Sequence, residues 1–541
     1  MYQVRRHKSW AILLLLALPG ATRPAPPHYP AAPRPPRPAT SLIVLLTVDQ
    51  LRPDYFERYG TQFTGGFRQL LSQGLLFPHG EQDHAITETA PGHSTLLSGR
   101  EPASTGIVSN VRGVLDPTLP LLDGSLPGAS PWRFQGTTLY DWMVARDSGT
   151  RALSVSRKDR GAILPIGRAR GEVYWYHGAG FTTSRYYTDT LPVWVRDFNA
   201  RREPERLAGA VWSLRLPPAS YAEPDSMPLE NGGRDFVFPH QLPSNPDSAA
   251  AALINFPWMD SLTLGLALEG VRALRLGTRA SPDLLTISLS TTDAVGHAFG
   301  PDSRELHDHL LWLDLWLGQF LDSLTALVPR DRILLVLTAD HGVQSFPEAR
   351  RGRDAGRGGW SGRVRMGELV RRAGAALTKR YRTDFSLDFD TGLLSADTLA
   401  LHARGIRIDS LAQALAMAAG RQPGVLQVFT PLTLTRASSA DREARLWRHL
   451  IPRGYGWLFC ASLRPGSVWS EGGLSAQHGS TAPEDVRVPI LFWGGGLKPA
   501  RVTRSVRTVD IAPTLARWLG IRPTEALNGA PLAEVVSRDS H

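Results

Sequence analysis

The chain of 541 residues is 42% hydrophobic and 20% charged, enough apolar material for a large core and too much for a disordered or fibrous chain. Its formal net charge is +10, a balance that would suit nucleic acid or a membrane surface. Nearly all the cations are Arg, with only Lys8, Lys158, Lys379 and Lys498 besides, and no long basic run exists, so the charge reads as compositional and no nucleic-acid partner is expected.

The first element is a targeting segment. Arg5, Arg6 and Lys8 precede an unbroken apolar stretch from Trp10 to Leu18, and the small residues Gly20 and Ala21 follow. A basic, an apolar and a small-residue segment in that order predict a secretory signal over residues 1–21. The apolar stretch is too short to span a bilayer, which takes about 20 residues. Eight prolines between Pro24 and Pro38 make residues 22–41 a stiff, extended linker. The remainder, 42–541, reads as one large domain without a transmembrane segment. The mature protein is therefore expected in the periplasm or secreted. The single Cys460 lies in an apolar run and has no partner for an internal disulfide, so it reads as a small core residue.

The run from Ser41 to Val48 is apolar and rich in β-branched residues, as in a strand buried on both faces of a parallel sheet. Ala152 to Val155, Leu284 to Leu289, Ile333 to Leu337 and Val488 to Trp493 are further strand candidates. Leu306, Leu310, Leu313, Leu317, Leu321 and Leu324 follow at helical spacing. Asp302 and Glu305 suggest a capping box before that helix, and Pro329 follows it. Val509 to Gly520 reads as a closing helix, with Asp510 as N-cap and Gly520 as C-cap. Residues from about 343 to 477 lack the parallel-strand signature and hold a Gly/Arg-rich loop from Arg350 to Arg363. They read as an inserted α+β cap. Strands alternating with helices predict an α/β fold with a doubly wound, mainly parallel sheet. Such sheets bind ligands beyond the carboxyl ends of their strands.

The chemistry-bearing residues fall at those ends. Asp49 closes the first apolar run. Asp293 and His297 follow the third strand candidate, Asp340 and His341 the fourth, and His478 stands in an isolated His-Gly-Ser. Thr89 opens Thr-Ala-Pro-Gly-His. Pro91 suits the first turn of a helix, which puts Thr89 at a helix N-terminus, where free N–H groups attract phosphate. Three Asp, three His and one hydroxyl suffice for two divalent metals beside a nucleophile. Oxygen and imidazole ligands without thiolate fit Zn2+, with Mn2+ or Mg2+ as alternatives. A Thr hydroxyl is a poor nucleophile at neutral pH, and a bound metal would stabilise its alkoxide.

The motifs Thr-x-Pro-Gly-His, Asp-x-x-Gly-His-x-x-Gly-Pro (Asp293 to Pro301), Ala-Asp-His-Gly and His-Gly-Ser resemble the alkaline phosphatase superfamily, and within it the type I phosphodiesterase/nucleotide pyrophosphatase family. The resemblance runs from Leu42 to the C-terminus. It implies an alkaline phosphatase-type fold and two Zn2+ per chain. Asp49, Thr89, Asp340 and His341 would hold one ion, and Asp293, His297 and His478 the other. Asp49-Gln-Leu-Arg-Pro-Asp-Tyr-Phe and Ser156-Arg-Lys-Asp-Arg-Gly-Ala resemble the phosphate-irrepressible periplasmic alkaline phosphatases. There a Lys-x-Arg pair, here Lys158 and Arg160, grips the phosphoryl oxygens, and Asn110 matches that branch's phosphate-binding Asn.

A monoester dianion carries one more negative charge than a diester, so two added cations favour it. The expected activity is hydrolysis of small phosphate monoesters through a phosphothreonine intermediate on Thr89. A phosphodiesterase or nucleotide pyrophosphatase on the same fold is the alternative, and a binding protein without catalysis a more distant one. A sulfatase is disfavoured, since Thr-Ala-Pro-Gly-His lacks both the modifiable Cys or Ser and the Arg of that related motif.

Overall fold

The computed structural model describes residues 40–349, 362–473 and 475–537. The expected signal and nearly all of the linker lie outside the described residues, as does most of the Gly/Arg-rich loop. The main sheet has ten strands. In chain order they are β1 (Leu42–Val48), β2 (Leu75–Glu81), β3 (Ala152–Ser156), β4 (Glu172–His177), β5 (Gly180–Thr182), β6 (Asp283–Leu289), β7 (Ile333–Thr338), β8 (Arg487–Gly494), β9 (Ala500–Arg501) and β10 (Val506–Arg507). Across the sheet they run β9-β2-β8-β7-β1-β6-β3-β4-β5, with β10 also paired to β2.

The five central strands β7, β1, β6, β3 and β4 are mutually parallel. Every residue of β1, β3, β6 and β7 is buried, because helices cover both faces. The two faces divide β1 by alternation: Leu42, Val44, Leu46 and Val48 enter one apolar core, Ile43 and Leu45 the other. This is the period-2 consequence of the pleat.

β8 departs from the expected pattern. It reads like the buried parallel strands, but it pairs antiparallel with both β7 and β2. Burial on both faces makes its sequence uniformly apolar, and direction leaves no trace in composition.

The leucine-rich helix spans Arg304–Leu327. Its N-cap is Ser303, whose hydroxyl accepts from Leu306 N at 3.0 Å, and not the expected Asp302/Glu305 box. Asp302 instead accepts from Arg58, and Glu305 sits 3.1 Å from His240 Nε2. The closing helix spans Ile511–Leu519 and ends on Gly520 at φ +66°, where glycine is favoured. Asp510 precedes it, but its carboxylate accepts from Arg507 N and Ala530 N, each at 2.9 Å, rather than from the helix it precedes.

Between β7 and β8 lies a second, antiparallel sheet in the order 387–390, 393–396, 457–463, 425–429. The helices Gly367–Tyr381 and Ile408–Gly420 pack against it around a separate apolar core. Cys460 is fully buried in its third strand. Among the described residues no single helix is long and apolar enough to cross a membrane.

Register aligns the functional edge. Thr47 pairs with Ser288 and with Thr338, and Ser288 with Ser156. Two residues beyond these level positions stand Asp49, Ser290, Asp340 and Lys158. Asp293 comes one helical turn later, on α1 (Thr291–Phe299).

Candidate active site

Thr89 begins the helix Thr89–Leu96, after an extended Glu88. The helix lies hard against the end of β7: a Cβ on Gly92 would come within 2.1 Å of the Asp340 carbonyl oxygen. This is the physical reason for glycine in Thr-Ala-Pro-Gly-His. Thr89 is almost fully buried, and its hydroxyl is 3.2 Å from Lys158 Nζ. Asn110 reaches the same helix end, where its carboxamide oxygen accepts from Ala90 N at 2.9 Å. That bond uses the oxygen and leaves the amide NH2 as the group for an anion.

The expected metal ligands converge. Asp49, Asp340 and His341 place donor atoms within 4.8 Å of one another, and so do Asp293, His341 and His478. His297 joins the second group, with Nε2 3.1 Å from His478 Nε2 and 3.2 Å from Asp293 Oδ1. His341 thus bridges the two groups, stacked on His478 with ring centroids 3.7 Å apart.

Each imidazole is oriented the same way. The Nδ1 atoms of His297, His341 and His478 lie 2.7, 3.0 and 2.7 Å from the carbonyls of Ala476, Gly342 and Thr87. A carbonyl only accepts, so Nδ1 carries the proton and Nε2 faces the cluster with a lone pair, the second-shell pattern of metal-binding histidine. Asp49 Oδ1 and His341 Nε2 are buried 3.3 Å apart with no other hydrogen-bond partner, while Asp49 Oδ2 and Asp340 Oδ2 have the Lys158 ammonium and His93 Nδ1 beside them. A buried set of carboxylate and imidazole donors so crowded fits divalent cations.

The protonation behaviour reflects that crowding. Burial, then the Asp293 and Asp340 charges, push Asp49 up. Burial and the neighbouring His478 push His341 well below its usual value. Burial also opposes ionisation of Asp293, but the Lys158 ammonium, 2.6 Å from its Oδ2, and His297 outweigh it and hold the carboxylate ionised. Burial lowers His478, yet Asp293 raises it to about 9.

Lys158 lies 2.6 Å from Asp49 Oδ2 as well, so one ammonium touches both ligand groups and the nucleophile. Arg160 is not brought to Thr89: its Nη1 is 3.5 Å from Asp159, and its Nε has no partner.

Three contributors escape the sequence reading. Gln50, at φ +68°, donates from its backbone N to Asp340 Oδ1 at 3.2 Å and from Nε2 to Asp293 Oδ1 at 2.9 Å. His93 Nδ1 lies 2.9 Å from Thr89 O and 3.1 Å from Asp340 Oδ2. Asp485 accepts from Ser480 N and Gln344 Nε2 and so holds the His-Gly-Ser segment. His93 and Gln50 stood in quoted motifs without a role, whereas nothing marked Asp485. A third acidic group, Asp83 and Glu101 with His449, is already matched by Arg445 and Arg507, which argues against a cation there.

With the geometry in place, comparison with known proteins is direct. The family model for type I phosphodiesterase / nucleotide pyrophosphatase matches residues 43–373. Alkaline phosphatase PhoV of Synechococcus elongatus is 29% identical, covering 92% of both chains. Alkaline phosphatase PhoK of Sphingomonas sp is 31% identical, again covering 92% of both. The crystal structure of wild-type alkaline phosphatase PafA superposes with a TM-score of 0.83 at 26% identity, covering 92% of this chain and 99% of that one. Another structure of PafA carries replacements of one Thr, one Asn, one Lys and one Arg.

Proposed function

The chain belongs to the type I phosphodiesterase/nucleotide pyrophosphatase family, and from that premise we propose that it works as an exported, metal-dependent phosphomonoesterase with Thr89 as nucleophile. It is a phosphoric monoester hydrolase of the alkaline phosphatase type. The observation that carries the residue assignment is the Thr89 hydroxyl, at the first turn of a buried helix and 3.2 Å from the Lys158 ammonium, which itself touches a carboxylate of each of the two groups.

Asp49, Asp340 and His341, with the Thr89 oxygen, would hold one ion, and Asp293, His297 and His478 the other. When bound, the ions supply positive charge that lowers the pKa of a hydroxyl or water and neutralises phosphate. The chain does the rest. Thr89 gives up its proton, its Oγ forms a bond to phosphorus, and the ester P–O bond breaks as the alcohol departs. Water then cleaves the phosphothreonine, releasing phosphate and restoring the hydroxyl. Charge in such a transition state spreads over the three non-bridging oxygens. The Asn110 NH2 group, the Lys158 ammonium and the Arg160 guanidinium are the donors assigned to them. Positively charged donors discriminate by substrate charge, which selects the dianionic monoester over the monoanionic diester. The Thr, Asn, Lys and Arg replaced in PafA are the same four residue types.

Removing metal tests the centre. Dialysis against a strong chelator is expected to abolish hydrolysis of p-nitrophenyl phosphate, and Zn2+ to restore it, with about two metals per chain by elemental analysis. A fully active, metal-free preparation would overturn the metal assignment. Export rests on the basic, apolar and small-residue order at the N-terminus. Terminal sequencing of the mature protein should begin near Thr22, in the periplasm or medium, and an intact Met1 on a cytosolic active enzyme would reject export.

A further inference from the structure

The inserted sheet touches the residue before Thr89 through a side chain of its first hairpin turn. Its strands Leu387–Asp390 and Leu393–Ala396 are joined by the two-residue turn Thr391-Gly392. Both turn residues have positive φ, +45° and +100°, as in the tight hairpin turn that favours Asn-Gly or Gly-Gly. A β-branched residue with positive φ is a genuine outlier. Strain kept at one position, where glycine would relieve it, points to a task for the side chain.

That side chain meets two parts of the site and its own strand. The Thr391 hydroxyl is 2.8 Å from Glu88 Oε1 and 2.7 Å from Asp390 Oδ1. Glu88 immediately precedes Thr89, is buried, and accepts through Oε2 from Asn110 N at 2.7 Å. The Thr391 methyl packs on the segment after His478, since a Cβ on Gly479 would fall 2.5 Å from it. A second tether joins the same elements, with Arg112 Nη2 3.2 Å from Asp388 Oδ2.

We infer that Thr391 is a positioning residue for the phosphoryl site. It fixes Glu88, Glu88 fixes the backbone of Asn110, and the Asn110 carboxamide is thereby held against the helix end with its NH2 group presented to phosphate. The inserted sheet thus takes part in phosphate recognition. This inference rests on the reading of Asn110 as a phosphate ligand.

The test uses the metal-loaded, full-length enzyme and inorganic phosphate, with affinity read by calorimetry and kcat/KM on p-nitrophenyl phosphate beside it. Thr391→Val and Thr391→Gly should each weaken phosphate binding about three- to tenfold, the range of one net hydrogen bond. Thr391→Gly should do so without lowering thermal stability, because it relieves the strained φ. Thr391→Ser, which keeps the hydroxyl, should restore wild-type affinity. In an Asn110→Ala background Thr391→Gly should add less than about twofold, since the two act as one unit. Unchanged phosphate affinity in Thr391→Gly, failure of Ser to rescue, or the full loss repeated in the Asn110→Ala background would each overturn the inference. Unchanged affinity in Asn110→Ala alone would reject the Asn110 reading itself, whatever Thr391 does, and the inference with it.

Discussion

Thr89→Ala is expected to remove turnover while leaving the fold intact. The hydroxyl's one hydrogen-bond contact among the described residues is Lys158, and that ammonium keeps two carboxylate partners when the hydroxyl goes. Alanine is the best helix former and suits the first turn of Thr89–Leu96. Nothing in the packing therefore depends on the oxygen. Its proposed role is to form the bond to phosphorus, and deletion of a covalent nucleophile elsewhere costs up to about 10⁶-fold. The expected fall in kcat/KM is on the order of 10⁴ to 10⁶, with Thr89→Ser retaining part of the rate. Circular dichroism should match wild type. Activity within about tenfold of wild type would show that Thr89 is not the nucleophile, since such a loss is within reach of a repositioned water.

The parallel centre of the sheet was legible because burial on both faces leaves uninterrupted apolar runs, and β1, β6 and β7 each begin within a residue of where those runs begin. Their functional residues followed, since Asp49 and Asp340 sit two residues beyond level strand positions. β8 shows the limit of that reading. Its composition matches β7, yet it runs the other way, a choice made by the long segment before it and by pairing with β2. The caps show another limit. Ser303, Asp302 and Glu305 all have capping chemistry, and tertiary partners decide among them: Arg58 claims Asp302, His240 lies beside Glu305, and Ser303 is left for Leu306 N. The contacts of Gln50 and the role of Thr391 were invisible for a third reason. Their importance lies in a positive φ and in contacts across more than 240 residues, and no local pattern encodes either.

The choice of monoesters rests on Lys158 and Arg160, and the structure separates their effects. Lys158 touches Asp49, Asp293 and Thr89. Lys158→Ala therefore removes a counter-charge from the ligand carboxylates as well as from the substrate, and it should depress monoester and diester hydrolysis together and change metal affinity. No hydrogen bond or ion pair joins Arg160 to Asp49, Asp293 or Thr89; its Nη1 lies 3.5 Å from Asp159, and its side chain is only about a quarter exposed, at 26%. A planar guanidinium can bond two phosphoryl oxygens at once, and it gains more from a dianion than from a monoanion. Arg160→Ala should thus lower kcat/KM for p-nitrophenyl phosphate by about 10²- to 10³-fold, the usual cost of one transition-state donor. Hydrolysis of the bis ester should fall much less, and metal content should not change. The double variant should not lose the product of the two single factors, because both groups act on one phosphoryl unit. The measurement is kcat/KM for mono- and diester in wild type, both single variants and the double. Equal losses on the two esters in Arg160→Ala would make the Arg structural and withdraw the charge argument for monoesters. A wild-type enzyme that already prefers the diester would hand the site to the phosphodiesterase reading.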